Sequence, residues 1–334
     1  MSKAKHIEPK KVLIIAYAFP PHSVVGAMRP MRFCKYLPQV SDWQPVVLSV
    51  KKDFDRQDPD LLREFSSGIP VYRAPIVEPK LWYEKRNAAV RKAAARKADA
   101  KYQFKSFVQA DDASPSFWKR FKRLAAELMS TPDPQLFWTV PVVLQALKII
   151  ERHEVNAFVI TSPPWSAQIA GYFIKKLSGL PWVADLRDPW TDVPRYDRFA
   201  LTQKFDAFLE KKCLTFADKV VSTSETFTSQ LRQKYPNCRK GRFTTLYNGF
   251  DEDKFLTPTP TPHDAFTIVH LGTFYPLFDS FFILKAIGHW LANDATVEKS
   301  SIRLVFIGKI DDDIHQVHPQ WGTHITPPEV SGPE

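Results

Sequence analysis

The chain has 334 residues, of which 44% are hydrophobic and 25% charged, a globular composition with length enough for two domains and unlike that of a disordered chain. No apolar run approaches the roughly 20 residues needed to cross a bilayer. The three cysteines, Cys34, Cys213 and Cys238, form neither a CxxC pair nor a metal-ligand spacing with histidine, so reduced buried thiols in a cytoplasmic protein, with no metal site, are expected.

The formal net charge of +10 suits nucleic acid, an anionic membrane surface or phosphorylated small molecules, and does not choose among them. Met1 to Lys11 is basic and precedes the apolar run Val12–Phe19. A signal peptide is the alternative reading, but Pro20-Pro21 interrupts the run and no small-residue cleavage site follows, so a strand fits better. Val12–Ala18 has the continuous β-rich apolar character of a strand buried on both faces. A helix is expected from about Gly26 to Leu37, then strands at Val46–Val50 and Pro70–Ala74, the opening of a parallel α/β sheet.

Residues 80 to 135 break this rhythm. Glu84 to Lys105 holds eight Lys/Arg against two acidic residues, scattered around a helical wheel, which reads as a solvated helical spur ahead of a binding surface. The run lacks interleaved aromatics before Tyr102 and no RNA or DNA motif accompanies it, so nucleic acid is not an expected partner. Phe117–Met129 is different. Phe117, Phe121, Leu124, Ala125, Leu128 and Met129 share one face, and Lys119, Arg120, Lys122 and Arg123 the other. Such a helix suits either an anionic membrane interface, with Lys119, Lys122 and Arg123 toward the lipid, or packing of its apolar side on the domain core.

The α/β rhythm resumes with strands at Ala157–Thr161, Pro181–Asp185, Lys219–Ser222 and Phe243–Leu246, separated by helices at Trp165–Leu177, Ala200–Phe216 and Ser224–Lys234. These complete a doubly wound, Rossmann-like domain over residues 1–255. A Pro/Thr linker at 256–264 follows, and 265–334 begins a second domain with one βαβ unit.

Ligands of open parallel sheets bind beyond the carboxyl ends of the strands. After the first strand come Gly26, opening a helix, and Arg29, a candidate for an anion there; without G-x-G-x-x-G a dehydrogenase-type dinucleotide site is disfavoured. After later strands come Thr161-Ser162-Pro163-Pro164-Trp165 and Asp185-Leu186-Arg187-Asp188-Pro189-Trp190. The second cluster is either an internal Asp–Arg pair stiffening the loop or a site. As a site, Asp185 or Asp188 orients or deprotonates a hydroxyl and Arg187 faces a departing diphosphate.

The strings VLIIAYAFPPHSVVGAMRPMRFCKYLP, TSPPWSAQIAGYFIKKLSGLPWVADLRDPW and ADKVVSTSE, with Tyr247-Asn248-Gly249-Phe250-Asp251 and Phe255, resemble family-4 glycosyltransferases of bacterial surface-polysaccharide pathways. The resemblance implies a GT-B fold with an N-terminal acceptor domain and a C-terminal domain for the nucleotide-sugar donor. It implies transfer with retention of configuration, no cofactor or obligatory metal, and a nucleotide-diphosphate sugar as co-substrate. A polysaccharide or lipid-linked acceptor follows, on the cytoplasmic face of the membrane. Catalytic roles then fall to Asp185, Arg187 and Asp188, and donor binding to Gly26, Arg29, Gly272, Thr273 and Lys309. Ser162, Trp190 and Asn248 line the acceptor cleft.

The sequence departs from the family's pattern in the second domain. His270-Leu271-Gly272-Thr273 stands where many relatives carry Gly-Arg with a lysine following, and from Pro262 onward no glutamates have the E-x-x-x-x-x-x-x-E spacing. A truncated, frameshifted or partner-completed enzyme is therefore an expectation alongside the intact one, as is a non-catalytic, membrane-associated interaction protein.

Overall fold

The apolar run after Lys10 forms the first strand of a seven-stranded sheet in a computed structural model of the chain. The structure describes residues 9–51, 57–64, 68–76, 117–192, 198–252, 265–272, 282–294 and 302–307. The chain divides into two units, Met1–Asp251 and Glu252–Glu334.

In the first unit, β1 (Lys10–Ala16), α1 (Val25–Val40), β2 (Trp43–Lys51) and β3 (Val71–Pro75) come first. After them come α2 (Phe117–Met129), α3 (Thr139–His153), β4 (Ala157–Ser162) and α4 (Ser166–Ser178). The series closes with β5 (Trp182–Leu186), α5 (Ala200–Phe216), β6 (Lys219–Ser222), α6 (Glu225–Lys234) and β7 (Phe243–Thr245). All neighbouring strands are parallel, in the order β3-β2-β1-β4-β5-β6-β7. Strand order therefore reverses beside β1, whose Ile14 lies opposite Val47 of β2 and Val159 of β4. That reversal is the topological switch point of an open parallel sheet.

Alternation along β1 divides the core in two. Leu13 and Ile15 join Leu48, Phe158, Ile160 and Trp182 in one cluster, with Ile149 of α3 and Ile174 of α4. Val12 and Ile14 join Val47 in the other, with Met31 and Cys34 of α1. A strand whose two sides both meet helices must be apolar at every position, which is why Val12–Ala16 reads as an unbroken run. Each such side chain fully buried stabilises by about 1.5–3 kcal/mol. Gly171 brings α4 against the Trp182 indole, to which an added Cβ would come within 2.4 Å. Burial raises the thiols of Cys34, to about 12, and Cys213, and all three cysteines are free.

The second unit contains β8 (Phe266–Leu271), α7 (Phe282–Asn293) and β9 (Ile302–Ile307), with the two strands parallel. The Pro/Thr linker, Thr273, Lys309 and the part of the basic insertion before Phe117 lie outside the described residues. Among the described residues no helix is long and apolar enough to cross a membrane.

Candidate functional site

Two sequence segments meet at the carboxyl edge of the first unit's sheet: Gly26–Pro30 in α1, and the residues after β5. Pro30 has no N–H, so the Gly26 carbonyl one turn earlier lacks its helical donor. The Arg187 guanidinium takes that place. Its Nη1 donates to the Gly26 carbonyl at 2.7 Å, Nη2 to that of Pro163 at 2.6 Å and Nε to that of Ser162 at 3.1 Å. A Cβ on residue 26 would stand 2.7 Å from Nη1, so glycine is what admits the guanidinium. Burial lowers the Arg187 pKa, while the charges of Asp185 and Asp188 work in the opposite direction.

Arg29, one turn along α1, grips Asp185. Nε lies 3.1 and 3.0 Å from the two carboxylate oxygens, and Nη2 lies 2.9 Å from Oδ1, a bidentate, charge-assisted pair. The two side chains are 7% and 0% exposed. The remaining Arg29 N–H groups donate to the carbonyls of Leu246 and Tyr247 and to Asn248 Oδ1, at 2.9, 3.0 and 3.1 Å. Further along α1, Arg32 donates to the Gly249 carbonyl, and Lys35 and Tyr36 donate to Asp251 at 2.8 and 2.7 Å. Residues spaced by three and four share a helical face, so one face of α1 fastens the whole segment 246–251.

The loop after β5 is anchored from behind by α5. Trp190 Nε1 donates to Asp206 at 2.7 Å, and the Thr191 hydroxyl donates to Glu210, which also accepts from the Tyr235 hydroxyl at 3.0 Å and pairs with Lys234 at 3.0 Å. Burial pushes the Asp206 carboxyl up to about 7; the Trp190 bond and Lys234 oppose this, and nearby Glu210 and Asp133 add to it. At the other end of the edge, Arg73 of β3 donates to Ser49 Oγ at 2.9 Å and to the Pro20 carbonyl, holding the loop after β1. Among these residues Asp188 and Asn248 are exposed and Arg187 is half-buried.

A family model described as a glycosyl transferase 4-like domain matches residues 39–249. The chain belongs to the glycosyl transferase 4-like family. Among solved structures, the Anabaena protein HepE in complex with UDP and glucose is 15% identical, with 94% of this chain and 67% of that chain covered at a TM-score of 0.50. Phytolacca americana UGT2 without ligand is 10% identical over 91% and 74% of the two chains, at 0.48. The apo lipopolysaccharide outer core galactosyltransferase WaaB is 12% identical over 94% and 64%, at 0.47. The fold is that shared with HepE, of the GT-B type, and the chain spans about two thirds of the length of HepE. No curated protein sequence matches it.

Within this glycosyl transferase 4-like chain, Gly26, Arg29, Ser162, Asp185, Arg187, Asp188 and Asn248 come together at one edge, with different employments from those expected. Gly26 and Arg29 receive Arg187 and Asp185, and the space expected for an anion over Gly26 holds the guanidinium. Asp185 is sealed beneath Arg29, and a substrate hydroxyl would have to displace that pair to reach it. Arg187 turns to three carbonyls. Ser162 is fully buried, accepting from Gln168 Nε2 at 2.9 Å and donating to the Asp185 carbonyl at 3.3 Å, so it supports the loop from below. Trp190 is 2% exposed and belongs to the core, because its N–H finds a carboxylate inside. Gly272, in the second unit, has φ 130° and donates its N–H to the Ile307 carbonyl at 2.8 Å.

In α2, Arg123 bonds Glu127 at 3.1 Å and covers the Phe199 ring at 5.3 Å; the side chains of Lys119 and Lys122 are outside the described residues. Of the helix's apolar stripe, Leu124, Ala125 and Leu128 are half-buried, while Phe121 and Met129 are exposed. Pro30, Arg73, Asp206 and Glu210 are not among the residues that the sequence singles out. A proline four residues after a glycine was the signal for the first, since it marks a carbonyl in need of an outside donor.

Proposed function

We propose that the chain transfers a hexose from a nucleotide-diphosphate sugar to a polysaccharide or lipid-linked acceptor, with retention of configuration and without a metal or other cofactor. The observation that carries this reading is the carboxyl edge itself: Asp188 and Asn248 stand open to solvent on loops immobilised by the Arg29–Asp185 pair and the Arg187 bonds. Fixed polar groups at that edge suit an acceptor hydroxyl, oriented by the Asn248 amide and oriented or deprotonated by Asp188. Arg29, Asp185 and Arg187 act as positioning residues, and Arg187 places positive charge beside Asp188. Donor phosphates are assigned to the second unit through Gly272, Thr273 and Lys309. Peripheral contact with the inner face of the cytoplasmic membrane through Lys119, Lys122 and Arg123 completes the reading.

The test is a radiolabel chase: the full chain, a panel of labelled nucleotide sugars and a lipid-linked glycan extract, with chelator present. Label entering the glycan fraction is the expected result. No transfer with any donor, together with no binding of nucleoside diphosphates by calorimetry, would overturn the assignment in favour of a non-catalytic interaction protein.

A further inference from the structure

The helix α5 separates its charges by sign. Its two carboxylates, Asp206 and Glu210, are each 1% exposed and bonded inside the protein. Its lysines, Lys204, Lys211 and Lys212, are all exposed. Between them lie Leu201, Phe205 and Phe208, which are 57%, 42% and 51% exposed. At 100° per residue these six side chains fall within an arc of about 120°, opposite the two acids. The Lys212 ammonium sits 5.6 Å over the Phe208 ring.

The neighbouring helix continues the pattern. α4 packs beside α5 through Tyr172 and Phe216, whose rings are 4.9 Å apart. It contains no Asp or Glu, and it exposes Phe173, Lys176 and Leu177. A solvated face ordinarily mixes both signs, and its apolar residues occur singly. Here the outward surface of two helices has aromatic and aliphatic side chains with cations only.

We propose that the outer face of α4 and α5 docks on an anionic phospholipid surface, with Phe173, Phe205 and Phe208 entering the headgroup–acyl boundary and the lysines meeting lipid phosphates. The charge complementarity selects this occupant. A nucleic acid would use the lysines but leave Leu177, Leu201 and the phenylalanines against water. α2 abuts the start of α5, where the Phe199 N–H donates to Glu127 at 3.0 Å, but contributes none of the side chains named for this face. The inference does not depend on the transferase reading, because lipid binding needs no donor.

Co-sedimentation of the full chain with vesicles of phosphatidylcholine, alone or mixed with phosphatidylglycerol, tests it. Wild type binds the mixed vesicles, weakly the neutral ones, and loses affinity as salt is raised. Because a lysine near an anionic surface contributes about fivefold, K204E/K211E/K212E binds about a hundredfold more weakly. F205S/F208S, on an exposed face and with an unchanged melting temperature, also binds more weakly while keeping the salt dependence. Equal binding to both vesicle types overturns the proposal, as does wild-type binding by the α5 lysine variant when K119E/K122E abolishes it. So does a dimer by light scattering that F205S/F208S converts to monomer, which would make the face a contact between copies of this chain.

Discussion

Loops that cross the carboxyl edge of a parallel sheet bring carbonyls that no strand or helix satisfies, and each needs an N–H donor. Arginine offers five N–H groups on a rigid plane and accepts none; Arg29, Arg73 and Arg187 all turn inward to such carbonyls. Gly26→Ala places a methyl where Arg187 Nη1 now lies. It should destabilise by about 1–3 kcal/mol, as overpacking does, measured by urea unfolding. Arg29→Met leaves Asp185 as an unpaired buried charge and should lose about 3–5 kcal/mol, whereas Arg29→Met with Asp185→Leu should lose less than the single change. An equal or larger loss in the double variant would show that the pair matters through its carbonyl bonds alone. Gly26, Arg29, Asp185 and Arg187 stand out in the sequence because they follow strands, and ligands of open parallel sheets bind beyond the carboxyl ends of the strands. Their pairing does not, since Arg29 and Asp185 lie 156 positions apart and either arginine suits either carboxylate by type.

At the scale of elements, periodicity located the strands and helices of the first unit because burial on both faces leaves a continuous apolar signature. The end of α1 is harder to read: the helix runs through Pro38 to Val40, past the expected Leu37, since a proline near a helix end forfeits one bond without having to end the helix. Gln39 and Val40, beyond it, are exposed. α5 was read as a helix but not as the anchor of the loop after β5, because Asp206 and Glu210 look like ordinary surface acids until Trp190, Thr191 and Tyr235 are brought against them. Asp206 gives that anchor a pH dependence. Its folded pKa of about 7 exceeds its ordinary value of 3.8, so the native state binds the extra proton between these values. Its contribution is therefore fully present below pH 3.8 and is lost as pH rises through about 7. Asp206→Asn, which still accepts from Trp190, should flatten this decline, so that its stability relative to wild type improves from pH 5 to pH 8 in thermal unfolding. A parallel decline in both proteins would remove Asp206 as the cause.

For the whole molecule, the alternation of strands and helices specified a doubly wound sheet, and the motif strings carried the family. The reversal of strand order beside β1 puts the DLRDPW loop and the NG-x-D segment against the same helix, α1, which chain order alone does not reveal. Asp188, exposed at this edge, is the group proposed to act on the sugar acceptor. Release of nucleoside diphosphate from nucleotide sugars, dependent on a glycan acceptor, measures that action directly when wild type is compared with Asp188→Asn at matched stability. Loss of a general base typically removes about 10²–10⁴-fold of rate, so acceptor-dependent release should fall at least about a hundredfold with donor binding unchanged. Release by Asp188→Asn at the wild-type rate would contradict the account.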